Sequence, residues 1–139
     1  MTGKLFLDTS YVVALVSPRD EHHERAAFFL RGIEARKIPL VTTRAVMVEV
    51  GDSLSRRPLR SRAATLVDAF EDDPLIEVAP LSDDLYHRGR AFFRRHNDKA
   101  WGLTDCISFV VMKERGLTDA LTADAHFRQA GFRPLLTSA

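Results

Sequence analysis

Cysteine is nearly missing from this chain. Cys106 stands alone, which excludes an internal disulfide and fits a reducing compartment. No apolar run approaches the roughly 20 residues a membrane span needs. The opening Met-Thr-Gly-Lys-Leu-Phe-Leu-Asp holds too short an apolar run for a secretory leader. A cytoplasmic protein with no membrane association is expected. Net charge is small as well: 20 Lys and Arg against 19 Asp and Glu leave +1, so the total gives no reason to invoke a nucleic-acid partner. Internal repeats, low-complexity tracts and linkers are missing, and 139 residues fit one domain, 1–139, with a core of its own.

The charge is unevenly distributed. Arg56, Arg57, Arg60 and Arg62 lie close together, as do Arg88, Arg90, Arg94, Arg95 and Lys99. On a near-neutral chain such clusters mean that acids gather elsewhere, an asymmetry compatible with a polyanion ligand. Taken singly, each arginine also fits an ordinary solvated helix face.

The stretch Trp101–Met112 organises the rest. It opens as a loop and becomes a helix apolar almost all round, through Cys106, Ile107, Phe109, Val110, Val111 and Met112, as expected of a buried helix. Thr104 is a good N-cap, and Asp105 stands in the first turn, where the helix dipole favours negative charge. Elsewhere short strands alternate with helices. Lys4–Leu7 reads as a buried strand ending at Asp8, and Thr9 or Ser10 caps a helix that stops near Pro18. A helix follows over Glu21–Arg36, in which adjacent His22 and His23 diverge by about 100° and read as surface residues. Pro39–Thr42, Leu75–Val78, Ala120–Thr122 and Arg133–Leu136 read as further strands. Helices begin at Pro58, at Ser82 and at Ala125; the second carries Leu85, Gly89, Phe92, Phe93 and His96 on its apolar stripe. Arg44–Leu54 fits two periods, since Val46, Val48 and Val50 alternate while Ala45, Val46, Glu49 and Ser53 share a helical face. The alternation predicts an α/β fold with a parallel sheet.

Four acids stand out in this pattern. Asp8 and Asp124 fall at the carboxyl ends of predicted strands, the edge where open parallel sheets bind ligands. Asp105 opens the buried helix. Glu49 sits in an apolar run, where a carboxylate must be exposed, protonated, paired or metal-bound. If the four converge they form an all-oxygen cluster suited to magnesium or manganese rather than zinc. Such a cluster with its cation activates water and steadies a phosphate under in-line attack.

Leu7-Asp8-Thr9-Ser10, the Glu49 segment, Leu103-Thr104-Asp105-Cys106 with Ser108-Phe109, and Leu121-Thr122-Ala123-Asp124-Ala125-His126-Phe127 with Gly131-Phe132 together resemble the motifs of PIN-domain ribonucleases. The likeness runs from end to end and is greatest to VapC-type toxins of toxin–antitoxin pairs. It implies a central parallel sheet in the order 3-2-1-4-5 flanked by helices, and it turns the Glu49 segment into a helix. It further implies a metal-dependent endoribonuclease cutting single-stranded or loop RNA. Asp8, Glu49, Asp105 and Asp124 would hold Mg2+ or Mn2+, with Thr9, Ser10 and Thr104 as supporting hydroxyls. Arg94, Arg95 and Lys99 are the candidates for the RNA backbone. A small antitoxin and a homodimer are the implied partners. Some larger PIN nucleases carry a further acid two residues beyond the fourth; His126 stands there in this chain.

Other classes fit less well. An aspartyl phosphatase built on Asp8 would carry a second acid where Ser10 stands, and a receiver domain would need a lysine after a late strand, yet none follows Lys113. A non-catalytic RNA- or protein-binding module of the same fold is opposed by the presence of all four acids.

Overall fold

The computed structural model describes residues 3–138. In chain order the elements are β1 (Leu5–Leu7), α1 (Thr9–Val16), α2 (His23–Arg36), β2 (Leu40–Thr43), α3 (Arg44–Ser53), α4 (Arg60–Asp72), β3 (Ile76–Ala79), α5 (Asp83–Arg95), α6 (Leu103–Glu114), β4 (Asp119–Leu121), α7 (Ala125–Gln129) and β5 (Arg133–Pro134). The five strands form one sheet in the order β3-β2-β1-β4-β5, and every pairing is parallel. This is the expected order, with helices connecting each strand to the next. No helix among the described residues is long and apolar enough to cross a membrane.

Burial explains which strands are central. Leu5, Phe6 and Leu7 of β1, Leu40 to Thr43 of β2, and Ala120 and Leu121 of β4 are all buried. Strands covered on both faces read as continuous apolar runs instead of alternating ones. The edge strands β3 and β5 are the exceptions, with Glu77 exposed and bound to Arg115 and Arg133 exposed.

The segment with two possible periods is the helix α3. Thr43 decides it, because its side-chain oxygen accepts the Val46 N–H at 3.1 Å and so caps the first turn. Val48 then points outward, 63% exposed, which a strand buried on both faces would not allow. Two expected caps differ from the observed ones. Asp8, not Thr9 or Ser10, is the N-cap of α1, and Gly102, not Thr104, precedes α6. Both helices therefore start a residue or two earlier, and Thr104 lies inside the first turn. Phe93 departs from the expected stripe and is 48% exposed, because α5 turns only Leu85, Gly89 and Phe92 fully inward.

The helix α6 is the core element foreseen. Cys106, Ile107, Ser108, Phe109, Val111 and Met112 are buried. The Phe109 ring lies edge-on to Trp101 and Phe127, with centroids at 5.2 and 4.9 Å, and so ties α6 to its preceding loop and to α7. α5 packs against α6 closely enough that a Cβ on Gly89 would stand 2.5 Å from Ile107 Cγ1. That close approach predicts that Gly89→Val destabilises the fold by about 1–3 kcal/mol through overpacking. Denaturant unfolding checks it, and an unchanged midpoint would mean that the two helices separate without cost.

Candidate metal centre and active site

The sheet's carboxyl edge gathers the acids. Asp8 directly follows β1, and the Thr122–Asp124 turn follows β4. α3 brings Glu49 up from the end of β2, and Asp105 stands in the first turn of α6. All four acids, with Thr9, Ser10 and His126, line one open groove of about 410 Å³. Among the described residues neither lysine nor arginine lines it.

A polar network holds the acids in place. Thr122, itself fully buried, donates its hydroxyl to Asp8 Oδ2 at 2.7 Å. The same Oγ1 accepts the Asp124 N–H at 3.0 Å and lies 3.0 Å from Ser10 Oγ. Since the Thr122 proton goes to Asp8, Ser10 is the donor in that last pair. Ser10 in turn accepts the Ala123 N–H at 2.9 Å, which fixes the β4–α7 turn against α1. Thr9 donates its hydroxyl to Glu49. Asp124 caps α7 by accepting the His126 N–H at 2.8 Å. His126 Nδ1 lies 3.1 Å from Asp105 Oδ2 and 3.4 Å from Asp124 Oδ1, a reach that joins the last two acids.

Electrostatics set Asp8 apart. Burial pushes its carboxyl up to about 7, with Asp105 and Glu49 adding repulsion, against the downward pull of Thr122 and the Thr9 backbone. Asp105 is also raised, first by burial and then by the charge on Asp124, while His126 lowers it. Cys106 does not line the groove, and burial pushes its thiol up to about 11.

The donor set fits a hard divalent cation. Five carboxylates, the four predicted acids and Asp20, line one groove with no arginine or lysine among the described residues to balance them, and oxygen ligands are what magnesium and manganese take. Asp105, Asp124 and His126 also present atoms within 4.8 Å of one another, so one nitrogen donor is within reach.

Thr9 and Ser10 line the groove. Thr104, one residue before Asp105, is not among the groove-lining residues. Arg94, Arg95 and Lys99 are exposed on α5 and the loop after it, outside the groove. Sequence reasoning passes over Thr122, although it stands two residues before Asp124 within the quoted motif. It also passes over His22, which lines the groove beside Asp20, while His23 turns away to the Ala14 carbonyl at 2.7 Å. No local pattern distinguishes the two histidines. Only the turn that seats His22 N–H on Asp20 Oδ1 does so.

Comparison with known proteins agrees with this geometry. A family model described as PIN domain matches residues 5–133. The 23S rRNA-specific endonuclease VapC20 of Mycobacterium tuberculosis is 31% identical over 129 residues, 92% of this chain and 95% of the relative. The crystal structure of VapC20, described as a sarcin-ricin loop cleaving toxin, matches with a TM-score of 0.78 at 29% identity, covering 92% of this chain and 95% of the other. The VapBC2 complex of Rickettsia felis, bound to a promoter DNA fragment, matches with a TM-score of 0.64 at 14% identity over 94% and 96% of the two chains, a likeness of fold.

The raised Asp8 carboxyl makes the metal-free fold sensitive to pH. Its folded value, about 7, lies above the ordinary 3.8, so the folded state holds the proton more tightly than the unfolded chain. Stability from this group is full below the ordinary value and falls as pH rises towards the folded one, by up to about 1.4 kcal/mol per pH unit. Asp8→Asn should flatten that slope and raise the metal-free unfolding midpoint at neutral pH, the amide oxygen still accepting from Thr122. Urea unfolding across the window checks it, and an equal slope in both proteins would contradict the assignment.

Proposed function

The chain belongs to the PIN-domain family, and from that premise and the acidic groove we propose that it is a metal-dependent endoribonuclease. It cuts single-stranded or loop RNA and serves as the toxin of a toxin–antitoxin pair. The observation that carries this reading is the convergence of Asp8, Glu49, Asp105 and Asp124 on one groove that no lysine or arginine among the described residues lines. VapC20 is named for 23S rRNA, so a ribosomal RNA loop is the first substrate to try.

Asp8, Glu49, Asp105 and Asp124 would hold Mg2+ or Mn2+. When bound, such an ion supplies a Lewis acid that lowers the pKa of a water and offsets charge on the phosphate. The chain's own residues do the positioning. Thr122 and the Thr9 backbone hold the Asp8 carboxylate rigid, and Thr9 orients Glu49. His126 keeps Asp105 and Asp124 together. Preorganised groups of this kind need no rearrangement as charge develops in the transition state. Arg94, Arg95 and Lys99, outside the groove, would meet the RNA backbone, since phosphate finds no cation among the groove's side chains.

The antitoxin would act on the same charge. An arginine from a small partner can engage two carboxylates through its planar fork and cannot deprotonate. Competition with manganese follows: raising the metal concentration should relieve inhibition, and constant metal affinity under full inhibition would place the partner elsewhere. A homodimer is also proposed, and sedimentation tests it.

Asp105→Asn keeps the side chain's size and removes its charge. RNA cleavage in manganese should fall by roughly 10²-fold or more, with the unfolding midpoint within a few degrees of wild type. Cleavage at the wild-type rate by this variant, or wild-type cleavage undiminished by a chelator, would overturn the reading.

A further inference from the structure

The acidic groove repels the ligand it is proposed to cut. Affinity for a polyanion must therefore come from another surface, and one face of α5 has the chemistry for it. Residues on this helix advance by about 100° each, so Tyr86, His87, Arg90, Phe93 and Arg94 fall within an arc of about 120° beside the stripe of buried Leu85, Gly89 and Phe92. Tyr86 is 40% and Phe93 48% exposed. Exposed rings interleaved with cations on one helix face are surfaces on which bases can stack. The Arg90 guanidinium lies 5.9 Å from the Tyr86 ring centre, and its Nη1 is 2.9 Å from His87 Nδ1, which steadies the Tyr86 ring.

The arginines on this face are available. Arg88, a neighbour on α5 but off the face, is held by Asp84 and Glu114 at 2.9 and 2.6 Å. Arg90 and Arg94 have no carboxylate within salt-bridge distance among the described residues. The placement matters too. Gly89 of α5 packs against Ile107 of α6, and only residues 96–102 separate the carboxyl end of α5 from the amino end of α6, where Asp105 stands.

We infer that this face is a second RNA surface. Unpaired bases next to the cut site stack on Tyr86 and Phe93 while Arg90 and Arg94 take the intervening phosphates. The inference rests on the ribonuclease reading and adds the requirement that the substrate carry a single-stranded flank. Interleaved rings and cations are how proteins hold single strands without reading sequence.

The test uses the whole chain and a fluorescent, unstructured RNA, with binding followed by anisotropy in chelator and cleavage followed in manganese. Tyr86→Ala with Phe93→Ala should weaken binding by about tenfold or more, the scale of a stacked base. Arg90→Ala with Arg94→Ala should lower the slope of log affinity against log salt by about 0.7 for each phosphate no longer neutralised. All four side chains are exposed, so unfolding midpoints should stay put. If wild type cuts RNA while both variants keep its affinity, KM and salt slope, the surface falls and the nuclease reading stands. If wild type cuts no RNA in manganese but the aromatic variant still loses RNA binding, the nuclease reading falls and the surface stands. If the aromatic variant changes sedimentation from dimer to monomer with RNA affinity per chain intact, the face holds a second copy and the inference is overturned.

Discussion

Like charge crowded into a partly buried groove is the constraint on which this structure turns. Carboxylates repel one another, and burial makes the repulsion worse, as the raised Asp8 and Asp105 carboxyls record. A chain folding for stability alone would place a lysine or arginine among them. None among the described residues lines the groove. What holds the acids is a set of hydroxyl and backbone donors, the hydroxyls of Thr9 and Thr122 and the backbone N–H groups of Thr9 and His126, with His126 Nδ1 3.1 Å from Asp105. These reduce the cost of proximity without cancelling the charge, and so leave it for a cation.

The fold makes that arrangement feasible. Parallel strands end at one edge, so β1, β2 and β4 deliver Asp8, the start of α3 and the Thr122–Asp124 turn to the same place. The fourth acid needs a different device. Asp105 is brought in by α6, whose apolar surface is clamped by Trp101, Phe109 and Phe127. Core packing and site geometry are thus one feature: a shift of α6 against α7 would move Asp105 away from Asp124 and His126.

Much of this is legible in the residues. Asp8 after an apolar run and the all-apolar face of α6 follow from patterning alone, because burial on both faces leaves an unmistakable run. The sheet order does not follow from patterning; it comes with the family resemblance. Arg44–Leu54 is ambiguous since β-branched residues satisfy both periods, and the deciding signal, Thr43 capping Val46, lies just outside the run. Thr104 looks like a cap because its hydroxyl type is right, yet Gly102 already has the extended backbone that starts α6. Thr122 and His22 escape a sequence reading because their roles depend on partners far along the chain or on the bend of a turn. Phe93 looks like core for the reason that makes it interesting outside: its aromatic character says nothing about which way α5 faces.

The central claim, that the cluster is built for a divalent cation, is tested most directly by the unfolding midpoint of the wild-type chain as manganese is added, at about pH 8 and at about pH 5. A cation that binds only the folded groove must raise the midpoint with concentration. Near pH 5, where Asp8 holds its proton, the rise should be much smaller. A midpoint that ignores manganese at the higher pH would contradict the account.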